Sequence, residues 1–240
     1  MSAQLADDSS DGDDANLVGL RALGEDEPLV DPNADTFELD LGAGRRVVIP
    51  MDRGAQRRGV AGASGTEAQS ETGAVVWDGA VLLARANALE PPERKRDVLE
   101  LGAGCGLAGL AWALTEDCNL TLTDRPHRLR ALRENARRNG VEATVAALDW
   151  TRAEFGAYDV VLAADCVYDE ALATPLVRAM SYAMRDGAVA LVTVDEANRR
   201  PTALKAFLRV AERAFSYFRE EPMAARSKWS RGDDLSLIHI

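Results

Sequence analysis

Val98-Leu99-Glu100-Leu101-Gly102-Ala103-Gly104-Cys105-Gly106 is the stretch that decides the fold. An apolar run carrying one acid gives way to three glycines at alternate positions, and the helical run Leu107–Leu114 follows. Glycine is needed where a turn is tight and where backbone must approach a ligand with no Cβ in the way. The start of the helix then offers unpaired N–H groups to an electron-rich ligand. Eighteen residues beyond Gly106, the run Leu120-Thr121-Leu122-Thr123 ends in Asp124. That spacing suits a carboxylate at the tip of the next strand, accepting hydrogen bonds from ribose hydroxyls.

The same alternation continues on both sides. Val75-Val76-Trp77 leads into a helix over Asp78–Leu89, which Pro91-Pro92 ends. Downstream, strand 97–101, helix 106–114, strand 119–123, helix 126–138 and strand 142–148 succeed one another, with Pro126 at a first turn and Asn139-Gly140 at a stop. Tyr158–Ala163 is a further strand, and Pro175 is expected to open a helix to about Met184. Arg185-Asp186-Gly187 should turn into Ala188–Val194, an apolar run typical of a strand buried on both faces. Helix 201–214 and a short strand over Phe215–Arg219 complete the pattern. Strands alternating with helices predict an α/β fold with a mostly parallel sheet and helices on both faces.

Ahead of this body, Phe37–Leu41 alternates, Gly42-Ala43-Gly44 turns and Val47-Val48-Ile49 returns, a β-hairpin pattern. The expected organisation is a disordered acidic leader (1–35), the hairpin (36–52), a flexible loop (53–73) and the α/β domain (74–240).

A length of 240 residues allows one or two domains with a full core. No run approaches the roughly 20 apolar residues that span a bilayer, so no membrane partner is expected. Cys105, Cys118 and Cys166 form neither a disulfide framework nor a metal-ligand pattern. With no signal peptide in view, the cytoplasm is the expected compartment, the nucleus staying open. The formal charge of −11 is local: residues 1–40 hold twelve acids against Arg21, which leaves residues 41–240 formally neutral. The leader therefore reads as a solubilising tail rather than a docking segment. No strong basic stripe shows in the linear sequence, so no nucleic-acid partner is expected.

Four separate segments bring polar or flat side chains to strand carboxyl ends, where ligands of such sheets bind. They are Gly102–Gly106, Asp124, Asp149-Trp150 and Asp165. Glu100 is either a backbone-tied structural acid or part of the ligand shell. Trp150 is either a core cap or the cover of an adenine ring, and Trp77 either a core anchor or a pocket wall. Asp165 and Tyr168 can orient an amine by hydrogen bonds, or else cap a helix and pack.

Trp77-Asp78-Gly79-Ala80, Leu99–Gly106, Leu148-Asp149-Trp150 and Ala164-Asp165-Cys166-Val167-Tyr168 occur in the same order in methyltransferase family 16, which this chain resembles from about Phe37 to Glu221. These are seven-strand, class I, Rossmann-like enzymes dependent on S-adenosyl-L-methionine, mostly protein-lysine N-methyltransferases. The resemblance is to the branch that methylates the valosin-containing AAA ATPase and Hsp70-type chaperones. It implies cofactor contacts from Trp77, Gly102, Ala103, Gly104, Asp124, Trp150 and Ala164, and an acceptor site lined by Asp165 and Tyr168. Glu100, Gly106 and Asp149 join the cofactor set by their place in the same motifs. A monomer acting on a chaperone or AAA ATPase is the implied partner arrangement. The family closes its sheet with a long C-terminal hairpin, whereas only Leu235–Ile240 stands here for its last strand, so a truncated hairpin is expected. That hexapeptide also resembles translated adapter sequence.

The expected chemistry is methyl transfer to an uncharged amine. A free lysine has a pKa of about 10.4, so a proton must leave first. A dry pocket lowers that pKa while Asp165 raises it, which gives Asp165 and Tyr168 an orienting role. Asp165→Ala is expected to abolish transfer and to leave cofactor binding intact. The alternatives are a histidine, arginine or small-molecule acceptor, an NAD(P)-dependent oxidoreductase, and a non-catalytic binding module.

Overall fold

The fold comes from a computed structural model, which describes residues 30–31, 33–55, 72–85, 94–152, 156–195, 201–217, 219–223 and 235–239. A hairpin of β1 (Thr36–Gly42) and β2 (Arg45–Pro50) precedes α1 (Asp78–Arg85). Then follow β3 (Arg96–Leu101), α2 (Leu107–Thr115), β4 (Cys118–Asp124), α3 (Leu129–Arg138) and β5 (Ala143–Ala147). The chain continues through β6 (Tyr158–Ala164), α4 (Glu170–Ala183), β7 (Met184–Asp195), α5 (Pro201–Ala214), β8 (Arg219–Met223) and β9 (Leu235–His239).

The main sheet has seven strands in the order β5-β4-β3-β6-β7-β9-β8. The first five are parallel, and β9 lies antiparallel between β7 and β8. The order reverses between β3 and β6, so a crevice opens at their carboxyl ends. Gly102 and Asp165 stand there.

Period-two alternation sends the apolar residues of the central strands to both faces of the sheet. Val98, Val160, Leu162 and Leu191 enter one core with α1, α2 and the hairpin. Leu99, Leu101, Val161, Ala163, Ala190 and Val192 enter the other, against α4 and α5. Both faces are covered, and the buried polar residues of these strands, Glu100, Thr123 and Thr193, each make a hydrogen bond. Trp112 and Phe207 are the largest fully buried side chains of the two cores. The hairpin is tied to helix ends: Arg45 donates to the carbonyls of Leu114 and Thr115, the negative pole of α2. Asn139, just past α3, accepts from Val48 N at 2.7 Å and donates to Val48 O at 2.9 Å, in the manner of a neighbouring strand.

Several expectations are corrected. Helix α4 starts at Glu170, five residues before Pro175, because Asp169 caps it by accepting from Ala171 N at 2.9 Å. The proline sits inside the helix, where the cap offsets its missing donor. Strand β7 starts at Met184 rather than Ala188: Tyr158 pairs with Met184 but Val160 with Val189, so a bulge occupies the predicted turn. That bulge carries Arg185 to Asp97 (2.7 Å) and Asp159 (3.2 Å). The penultimate strand is Arg219–Met223, displaced from Phe215–Arg219. Residues Leu235–His239 do pair on both sides and close the sheet.

The predicted leader and loop mostly lie outside the described residues, but their edges are packed. Val30 is buried, and Arg53 donates to the carbonyls of Asp31 and Ala34. At the loop's far end, Asp52 N donates to Ala74 O at 2.9 Å. The hairpin is thereby fixed to the α/β body.

Candidate active site

The glycine loop is held from below by a lattice of backbone bonds. Ala103 N donates to Thr123 O (2.9 Å), Gly106 N to Ala103 O (2.6 Å), and the Thr123 hydroxyl to Glu100 O (2.7 Å). Asn135 of α3 donates to Cys105 O at 2.9 Å, fully inside the protein. Gly102 has φ +62°, and a Cβ there would lie 3.0 Å from the Trp150 ring and 2.9 Å from Cys166 Sγ. Only glycine meets both conditions. The indole of Trp150 thus flanks the loop at the crevice, half-buried against the second core.

Asp124, at the tip of β4, turns its carboxylate back on the loop. It accepts from Gly104 N and from Arg125 N, both at 2.6 Å. The acid and the loop therefore hold each other in register before any ligand is present. Gly106 ends the loop as the N-cap of α2, with φ +79°.

A short strap crosses the loop. Thr72–Ala74 forms a turn whose Gly73 lies against Gly104, 3.3 Å from the point a Gly104 Cβ would occupy. Gly73 O accepts from the Arg128 guanidinium and from Cys105 Sγ. Thr72 O accepts from Trp77 Nε1 at 2.8 Å, which orients the half-buried indole of Trp77. Arg128, Asn135 and Gly73 were not singled out in the sequence, since their partners lie 30 to 55 residues away.

Asp165 follows β6 with φ +51°, a conformation that aspartate tolerates better than most residues. It is buried, and its Oδ2 accepts from Gly79 N at 2.8 Å, at the start of α1. Thr193 of β7 donates to Gly79 O at 2.8 Å, so both polar atoms of one peptide position are held by side chains. A Cβ on Gly79 would come within 2.5 Å of the carboxylate. This geometry ties Asp165 to the Trp77–Gly79 turn and revises the expectation that Asp165→Ala spares cofactor binding. Tyr168 lies half-buried three residues further on, ahead of α4, and Ala164 ends β6 beside them.

Two further sequence candidates make bonds of their own. Glu100 is buried behind the loop, and its Oε2 accepts from Gly109 N of α2 at 2.9 Å. Burial pushes its carboxyl up to about 8, opposed by the Gly109 bond. Of its two readings, the backbone-tied acid is the one this contact describes. Asp149 is exposed and accepts from Thr151 Oγ1 (2.7 Å) and Thr151 N (2.9 Å). These bonds, with Arg152 and Arg125 nearby, hold its carboxyl below the usual range. They also start the turn Trp150–Arg152 that presents the indole.

The contacts link four strand tips: β3 and β4 through Gly104 and Asp124, β3 and β6 through Gly102 and Cys166, with Trp150 added from beyond β5. Such a rim can seat a nucleoside, with the loop and Asp124 on its ribose side and a flat ring beside it. Among the described residues no cluster of potential metal ligands occurs.

Comparison with known proteins agrees with this arrangement. Residues 64–214 match the family model described as lysine methyltransferase. Protein N-lysine methyltransferase METTL21A of Xenopus tropicalis is 39% identical over 105 residues, which is 40% of this chain and 48% of that protein. The Mus musculus protein of the same name is 33% identical over 153 residues, 60% of this chain and 68% of that one. The matched parts thus span about half to two-thirds of these relatives. Among solved structures, mitomycin 7-O-methyltransferase MmcR shares the fold with a TM-score of 0.52 at 16% identity, over 73% of this chain and 57% of that one. The loop, the strand-end acid and the matched stretch coincide, and the chain belongs to the lysine methyltransferase family.

Proposed function

We propose that the protein transfers a methyl group from S-adenosyl-L-methionine to a lysine side-chain amine of another protein. One observation carries the reading: Gly104 N and Asp124 bond each other at 2.6 Å while Trp150 packs on Gly102 of the same loop. That donor set fits the nucleoside. Asp124 keeps lone pairs for a ribose diol, and the Trp150 face is sized for a purine. When bound, S-adenosyl-L-methionine supplies an electrophilic methyl group on a sulfonium.

The chain's own residues then have distinct tasks. Thr72, Gly73 and Arg128 hold the strap and Trp77 over the glycine loop, which excludes water from that side. Asp165 and Thr193 fix the Gly79 peptide and with it the start of α1. Asp165 therefore acts as a positioning residue. Tyr168, beside it in sequence, remains the side chain assigned to the acceptor amine. The lysine arrives as an ammonium and must lose its proton, which an apolar crevice favours by lowering its pKa.

The finer reading is an acceptor that is a chaperone or AAA ATPase, modified by a monomeric enzyme in the cytoplasm. What supports it is the resemblance of the Asp165–Tyr168 motif to the branch that methylates such proteins. Incubation with methyl-labelled S-adenosyl-L-methionine and a cell extract, followed by mass spectrometry, tests the proposal. Label on lysine is expected. Label on histidine, arginine or a small molecule, or no transfer at all, overturns it.

A further inference from the structure

The stretch Arg125–Arg138 carries six arginines and one glutamate. The linear sequence already shows this basic run, against the expectation of no strong basic stripe, and helical geometry decides which of its arginines share a face. Leu129, Leu132, Asn135 and Ala136 face the core, which turns Arg130, Arg133, Arg137 and Arg138 to solvent. Arg125 is exposed at the rim end of the same face, and Arg152 stands near it, since both act on Asp149. Arg128 is turned inward to Gly73. Among the described residues the ion pairs made by this face go to Glu134, which takes Arg137 (2.8 Å) and Arg138 (3.7 Å). A cationic strip of about 15 Å therefore runs away from the crevice along α3.

The complementary charge lies in the same chain. Residues 1–29 hold eight acids against one arginine, five of them within Asp7–Asp14 and three at Glu25–Glu27. Their point of attachment is joined through the hairpin to the body that carries the strip, and Asn139 at the end of α3 bonds Val48 of that hairpin. Val30 is buried in the hairpin core, Met51 N donates to Asp35 O, Asp52 N to Ala74 O, and the adjoining Gly73 O accepts from Arg128. A chain of this length has a root-mean-square reach of about 30 Å, which spans the strip. Tethering also gives the acids an effective concentration of order millimolar, so weak sites suffice.

We infer that the acidic segment 1–29 docks on the exposed arginine face of α3, beside the crevice. The contact is a set of solvent-exposed charge pairs, so salt screens it, unlike a packed interface. It does not depend on which acceptor the enzyme uses.

The test uses the full chain with all eight leader acids changed to Asn or Gln, titrated with a fluorescein-labelled peptide of residues 1–29. Saturable anisotropy change is expected at ~20 mM salt, weakened roughly tenfold or more by ~300 mM. Arg130→Gln/Arg133→Gln/Arg137→Gln in the same chain should abolish it while a cooperative melt is retained, because these side chains are exposed and the bonds of Arg133 to Val145 O and Arg137 to Glu134 lie at the surface. The natural chain, its own leader in place, should bind the peptide at least roughly tenfold more weakly. No binding to the neutralised chain overturns the inference, as does equal binding by the triple variant. Equal binding by the natural chain also overturns it and assigns the face to a separate partner.

Discussion

Replacing Asp165 separates a positioning acid from a charged catalytic one. The Asp165→Ala change leaves Gly79 N without its 2.8 Å acceptor in a buried place. An orphaned buried N–H costs about 1–3 kcal/mol. Alanine must also adopt φ +51°, which adds about 1–2 kcal/mol. The sum is about 2–5 kcal/mol, enough to loosen the start of α1 and the Trp77 wall next to it. Asp165→Asn keeps an oxygen acceptor and tolerates the left-handed backbone, so its cost should stay below about 1 kcal/mol. Urea unfolding at neutral pH reads the stability, and calorimetry with S-adenosylhomocysteine reads the cofactor side. Ala should lose both and Asn should keep both. An Ala variant as stable as the natural chain would refute the reasoning, as would an Asn variant damaged as much as Ala.

Three further outcomes follow from the same contacts. Gly79→Ala places a Cβ 2.5 Å from the Asp165 carboxylate, so it should destabilise by about 1–3 kcal/mol and weaken cofactor binding in the same assays. Glu100 has a folded pKa of about 8, raised from 4.5 mainly by burial. Between those values the unfolded chain has released a proton that the folded chain keeps, so this group lowers stability by about 1.4 kcal/mol per unit as pH rises, levelling off above 8. Glu100→Gln should remove that slope, and the gap between variant and natural chain should widen from pH 5 to 8; parallel pH profiles would sink the assignment. Asn135→Ala unties the Cys105 carbonyl at 2.9 Å, and thermal melts should show a loss of about 1–3 kcal/mol that Asn135→Gln does not fully restore.

Local chemistry made the loop legible. Glycines with φ +62°, +54° and +79° at Gly102, Gly104 and Gly106 are required by backbone geometry within five residues, and Asp124 follows at a spacing set by one helix and one strand. The apolar run Ala188–Val194 of β7 announced two-sided burial in the same way. Contacts between distant segments were not legible. Gly79 and Asp165 are 86 residues apart, Gly73 and Arg128 are 55 apart, and nothing in either stretch names the other. The helix start at Glu170 was hidden because Pro175 is the louder signal, although Asp169 supplies the stronger cap. The arginine face of α3 was legible in part. Its six arginines lie within fourteen consecutive residues, so the basic run was legible; what the sequence left open was which of them turn to solvent once wound at 3.6 residues per turn.

The central claim is that the β3–β4–β6 rim seats the nucleoside of S-adenosyl-L-methionine. Calorimetric titration of the full chain with S-adenosylhomocysteine, and separately with NADH, tests it most directly. Saturable one-to-one binding of S-adenosylhomocysteine is expected, weakened at least roughly tenfold by Asp124→Ala, with no heat from NADH. Binding of NADH, or S-adenosylhomocysteine affinity untouched by Asp124→Ala, would contradict the account.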